Sequence, residues 1–114
     1  MLKKRDYEMV IHFLECYYCQ TFVILDALKQ QSDDFALRET KERRDQLKNE
    51  LMQLRQKQLR QNSLDDINYF MQREAGRRFN EKEFNHLIDT ILSSLQDVTI
   101  KRKRWLNTKN STWN

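Results

Sequence analysis

The sequence predicts an all-α fold of three to four helices: a long antiparallel helical hairpin, with a coiled-coil-like second helix, plus two shorter amphipathic helices. Three observations carry that reading. The 114 residues include no proline and one glycine, where average usage gives roughly 6 and 8. Apolar residues recur at helical spacing in four stretches. Between those stretches lie polar residues of the kind that cap helices. The scarcity of proline and glycine also excludes glycine-rich nucleotide loops, hairpins turning on glycine and proline-rich linkers.

The first segment is expected from about Asp6 to Gln30. Tyr7, Val10, Ile11, Phe13, Leu14, Tyr17, Tyr18, Phe22, Ile24, Leu25 and Leu28 fill an arc of roughly 180° at 100° per residue. This is the widest apolar face in the chain, so its helix should be the most buried. The stretch Thr21 to Leu25 also suits a strand, but no turn residues flank it and the helix is preferred.

The second segment begins at Gln31-Ser32-Asp33-Asp34, where Ser32 or Asp33 can cap a new helix, and continues to about Gln61. Ala36, Thr40, Leu47, Leu51, Leu54 and Gln58 form a stripe only about 60° wide, a coiled-coil seam more than a globular face. Such a helix would span roughly 42 Å. The Leu47, Leu51 and Leu54 seam predicts packing on the first segment, on a second copy or on a helical partner.

Segment three opens at Ser63, with Asp66 three residues on in the pattern of a capping box. Leu64, Ile67, Phe70 and Met71 give it a short apolar face, and Gly76 stands where a helix stop belongs. Asn80, with Glu83 three residues later, caps segment four. Its face of Phe84, Leu87, Ile88, Ile91, Leu95 and Val98 ends near Ile100 to Arg104. The expected organisation is one helical domain over residues 1–106 and a flexible tail over 107–114.

Net charge is +4, but it is unevenly distributed: residues 1–32 are neutral, 33–62 carry +2, 63–100 carry −3 and 101–114 carry +5. No apolar run is long enough to span a membrane. Lys3, Lys4 and Arg5 resemble the start of a signal peptide, but Asp6, Glu8 and His12 interrupt the apolar stretch that should follow. The reading is cytoplasmic. Two cysteines are too few for a disulfide scaffold.

Four patterns carry candidate chemistry. Lys101, Arg102, Lys103 and Arg104 beside Trp105 suit a polyanion, with cations on phosphates and an indole on a base; such a run also complements a helix C-terminus. Ser63 to Ile91 can be threaded as a helix-turn-helix, but its second helix opens with Glu81-Lys82-Glu83, negative where DNA would lie. His12, Cys16 and Cys19 share a helical face and could begin a zinc site with a fourth ligand from elsewhere; no second CxxC accompanies them, so no metal or cofactor is expected. Carboxylates such as Glu39, Glu42 and Asp45 alternate with Arg38, Lys41, Arg43 and Arg44, the pattern of helix-surface ion pairs. No catalytic constellation or small-molecule site emerges. The expectation is a non-enzymatic helical interaction protein, acting on itself or on a protein partner. The alternative is a nucleic-acid binder using the basic C-terminal segment.

Overall fold

Helix ends in this chain are set by a few side-chain and backbone hydrogen bonds, and these decide how many helices form. The computed structural model describes residues 2–17 and 27–112, with side chains for residues 2–17 and 28–97. Among the described residues, regular structure is entirely helical: a 3-10 turn at Lys4–Asp6, then α1 (Glu8–Cys16), α2 (Ala27–Arg38), α3 (Lys41–Gln61), α4 (Asp65–Ala75) and α5 (Glu81–Thr112). The all-α class is as expected, with five α-helices in place of three to four. Tyr18, Cys19, Phe22, Ile24 and Leu25, expected on the first helix, lie outside the described residues.

The expected break at Ser32–Asp34 does not occur. Ser32 is buried, and its hydroxyl donates to the Leu28 carbonyl at 2.7 Å. It therefore bonds back to its own helix, one turn earlier, instead of capping a new one. The chain breaks instead at Glu39–Thr40. Thr40 has extended dihedrals, and its hydroxyl accepts the Arg43 N–H at 3.3 Å, so it is the N-cap of α3 and not a seam residue.

The break at Asn62 follows expectation: Asn62 adopts a left-handed conformation, φ 51°, which asparagine tolerates better than most residues. The start of α4 differs in detail from the expected capping box. Ser63 Oγ accepts the Asp65 N–H at 3.1 Å, and Asp66 accepts from Gln61 at 3.1 Å. Gly76 ends α4 with φ 66°, its N–H donating to the Gln72 carbonyl while the Arg77 N–H reaches the Met71 carbonyl. Asn80 and Glu83 then form a reciprocal capping box: Asn80 Oδ1 accepts the Glu83 N–H at 2.7 Å, and Glu83 Oε1 accepts the Asn80 N–H at 3.1 Å. The helix so begun continues to Thr112, past the Ile100 to Arg104 stop expected for it and through most of the expected tail.

The most extensive helix contact joins α2 to α5, with α1 seated on α3 and α4, and α3 also against α5. The core is drawn from all five helices: Val10, Ile11, Phe13 and Leu14 from α1, Phe35 and Ala36 from α2, Leu47, Leu51 and Leu54 from α3, Ile67, Phe70 and Met71 from α4, and Phe84, Leu87, Ile88, Ile91 and Leu95 from α5. The leucine seam of α3 is therefore occupied by this chain's own helices. Seven-residue spacing marks a buried face, and here that face turns inward. The overall extents are 56 × 29 × 23 Å. The long dimension is about what a 32-residue α5 demands, roughly 48 Å at 1.5 Å per residue.

Candidate functional site

The helix that organises this molecule is α3, and its sides carry three kinds of chemistry. On the inner side, Arg44 and Glu50 flank the leucine stripe, each roughly 60° from Leu47 on a helical projection. Both are buried. The Arg44 guanidinium donates to the carbonyls of Ala36 at 3.3 Å and Glu39 at 3.1 Å, covering the C-terminal end of α2. Glu50 Oε1 accepts the Val10 N–H at 3.0 Å, and its other oxygen accepts from Gln46 at 2.8 Å. One helix thus places a cation at the C-terminus of α2 and a carboxylate at the N-terminus of α1, the signs that helix ends favour. Burial nevertheless raises the Glu50 pKa, against the hydrogen bonds from Val10, Gln46 and Met9 that lower it. Desolvation of the ion outweighs what the helix end returns.

At the α2–α3 break, Glu39 gathers three partners, two from α1 and its C-terminal end and one from α3. Its carboxylate accepts from the Tyr17 hydroxyl at 2.6 Å, faces His12 Nε2 at 3.4 Å and pairs with Arg43 at 2.8 Å. The Tyr17 hydrogen bond is the main reason the Glu39 pKa is lowered, with burial opposing it. Burial first, and the Glu39 bond second, push the Tyr17 phenol up to about 12. Around this cluster the rings of Phe13, Tyr17 and Phe35 pack against one another, with Tyr17 and Phe35 edge to face at 5.2 Å. Glu39 and Arg44 are therefore not the surface charges that their sequence pattern suggested. Of these charges, Arg43 and Glu39 form an i, i+4 ion pair.

His12 is committed to this cluster, its ring edge-on to Tyr17 and Phe35. Cys16 is a free, exposed thiol, and Cys19 lies outside the described residues. Among the described residues, no group of three metal-ligating side chains is assembled. In the helix-turn-helix threading, Phe84, Leu87, Ile88 and Ile91 of the would-be recognition helix are core residues, so one face of it packs inward. Its turn is held by Asn68, whose amide donates to the Phe79 carbonyl at 2.7 Å and whose oxygen accepts the Phe79 N–H at 2.8 Å.

Lys101, Arg102, Lys103, Arg104 and Trp105 fall on the helical backbone of α5, and their side chains lie outside the described residues. Four consecutive helical positions are spread roughly 100° apart around the axis, so a run that reads as a block in sequence forms no single stripe on a helix.

On the outer side of α3, Met52 and Leu59 are 46% and 72% exposed. Seven residues apart, they share one side of the helix. Tyr69 on α4, 66% exposed, carries the Arg73 guanidinium 5.8 Å from its ring centre. Among the described residues, no helix is long and apolar enough to cross a membrane. Leu47, Leu51 and Leu54 pointed to α3 as a contact helix, but its free apolar residues are Met52 and Leu59, which an isolated i, i+7 pair among glutamines and arginines barely signals. No family model, curated protein or solved structure matches this chain.

Proposed function

We propose that this protein is a small, non-enzymatic helical interaction module, an adaptor or assembly subunit that makes helix-on-helix contacts with a second copy or with a protein partner. The observation that carries the reading is the Met52–Leu59 pair on α3. A leucine left 72% exposed, with a methionine two turns away on the same side, is the geometry by which a seven-residue repeat meets a neighbouring helix. The inner leucines cannot serve in the same way, because opening them would expose the core. The contact surface we propose is therefore the outer side of α3, with the buried charges Arg44 and Glu50 acting as anchors that hold that helix in position.

The test uses Met52→Glu together with Leu59→Glu, judged by light scattering after gel filtration and by capture of partners from the native host with mass spectrometry. Both positions are exposed, so helix content and melting should be unchanged. The expected result is loss of self-association or of specific captured proteins. A wild-type chain that is monomeric at every concentration, and that captures the same proteins as the double variant, would sink the proposal. Leu51→Glu is no substitute, because Leu51 is fully buried and a carboxylate there disrupts the fold.

A further inference from the structure

The end of α3, the start of α4 and the stretch from Phe79 into α5 border a cavity of about 300 Å³. Leu59, Leu64 and Phe79 give it apolar walls, and Gln58 lines it from the core-facing stripe of α3, one turn after Leu54. The Phe79 wall is held in place, because the Asn68 amide bonds the Phe79 carbonyl at 2.7 Å and its N–H at 2.8 Å. Gln58 is only 7% exposed, yet its carboxamide makes no hydrogen bond to any described residue. Its polar atoms instead stay open to the cavity that it lines.

A buried carboxamide carries donor and acceptor side by side, and each is costly to leave unpaired. On the same wall, Asn68, Asn80 and Ser63 already hold backbone groups, so Gln58 is the buried amide with both capacities to spare. Water can occupy a space of this size, about ten molecules at roughly 30 Å³ each. A ligand that displaces it has to replace its bonds to Gln58. An ammonium or guanidinium would serve Gln58 Oε1 and orphan Nε2. An anion would serve Nε2, orphan Oε1 and meet Glu81, whose carboxylate is the one charge among the lining residues.

We propose that this cavity binds an uncharged small molecule whose carboxamide edge pairs with Gln58 and whose apolar ring packs among Leu59, Leu64 and Phe79. An amide edge sets one donor beside one acceptor, the complement of what the Gln58 carboxamide presents, so both bonds form at once. Small-ligand sites commonly have this make-up, a concave space near 300 Å³ with apolar walls and a few placed polar groups. Leu59 also belongs to the helix contact proposed above. The ligand site nevertheless stands apart from it, because pairing is to Gln58 and needs neither a partner nor a second copy.

The test is an NMR titration of the full isotope-labelled chain with benzamide, benzamidinium, benzoate, acetophenone and propionamide. Benzamide should bind in the millimolar range expected of so small a ligand and shift the Gln58 side-chain NH2 signals. Benzamidinium, benzoate and acetophenone keep the ring but lose half of the amide edge. Each should bind about fivefold or more weakly, the scale of one unmade hydrogen bond. Propionamide keeps the edge without the ring and should also bind more weakly. Gln58→Leu should erase the advantage of benzamide over acetophenone, while circular dichroism is unchanged and melting is unchanged or raised, since an unpaired amide leaves a buried position. The proposal is overturned if benzamide at its solubility limit leaves the Gln58 signals unmoved, if it binds no better than acetophenone, or if its advantage survives in Gln58→Leu. Tighter binding of benzamidinium or benzoate would overturn it in favour of a charged ligand. Equal binding of propionamide would overturn it in favour of a glutamine side chain from a partner.

Discussion

Glu50 in the middle of α3 accepts the backbone N–H of Val10, 40 positions earlier in the chain, at 3.0 Å. Val10 is the third residue of α1, and α1 has no side-chain cap of its own at Tyr7. The first turn of a helix leaves N–H groups without intrahelical partners, and burying α1 against α3 and α4 removes water as an alternative. Glu50 answers this from another helix. Arg44, six positions before it, does the converse at the end of α2. The polar character of α3 is thus partly structural: its buried charges connect helices that its leucines pack against.

Substitution at Glu50 should separate its hydrogen bond from its charge. Glu50→Ala orphans the Val10 N–H and should cost about 1–3 kcal/mol. Glu50→Gln keeps an acceptor and removes the desolvated ion, so it should be far milder at neutral pH. Because burial raises the folded pKa of Glu50 above its ordinary 4.5, its contribution is fully present below that value and is lost as pH rises through the folded pKa. Urea denaturation across the acid range should show Glu50→Gln gaining on wild type as pH rises. A constant difference between the two at all pH values would contradict this assignment.

What could be read in the sequence was whatever depends on near neighbours in the chain. Gly76 as a stop and the Asn80–Glu83 box involve residues three or four apart, and the apolar face from Phe84 to Leu95 is a matter of periodicity. The sequence suggests Ser32 as a cap and Thr40 as a seam position, and it does not decide between them because serine and threonine hydroxyls serve equally as caps or as bonds back to the preceding turn. Burial decides between these, and burial depends on α5. The inner seam of α3 was legible as an apolar stripe, but its partner was not, since the same spacing serves an intramolecular or an intermolecular contact. Arg44 and Glu50 carried a faint signal, their positions flanking the leucines. Nothing local marks the helix ends they reach.

Tyr17→Phe should act mainly through Glu39. The phenol's hydrogen bond is the largest influence lowering that carboxyl, so removing it should raise the Glu39 pKa towards its ordinary value, as read by carboxyl NMR titration. A group depressed in the folded state contributes stability above its unfolded pKa that is lost as pH falls through the folded one. The variant should therefore lose about 1.5 kcal/mol at neutral pH, the scale of a hydrogen bond to a charged group, and lose less on acidification than wild type. On the alkaline side, Tyr17 should ionise only near pH 12, and Tyr17→Phe should remove that late step from the ultraviolet titration. An unmoved Glu39 titration would contradict the coupling.

Gly76 tests backbone conformation without packing. Its φ is 66°, and a Cβ built there meets no atom within 4 Å, so substitution adds no clash. Gly76→Ala should cost about 1–2 kcal/mol through the left-handed conformation alone, and Gly76→Asn should recover part of that, as asparagine does in place at Asn62. Thermal or urea melts rank the three. Equal losses for alanine and asparagine would mean that something other than φ limits the site.

Ser32 and Thr40 give opposite expectations from similar side chains. Thr40→Ala removes the acceptor for the Arg43 N–H at the start of α3 and should cost about 1 kcal/mol. Ser32→Ala removes a hydroxyl that bonds back to the Leu28 carbonyl within a continuous helix, and alanine is the better helix former. It should fall within about 0.5 kcal/mol of wild type, or be stabilising. Were Ser32 a cap, as its sequence neighbourhood suggests, the ranking would reverse. Measuring the two alanine variants side by side therefore locates the helix break between the first α5-packing helix and α3 without any structural probe, because the cost follows the residue that caps.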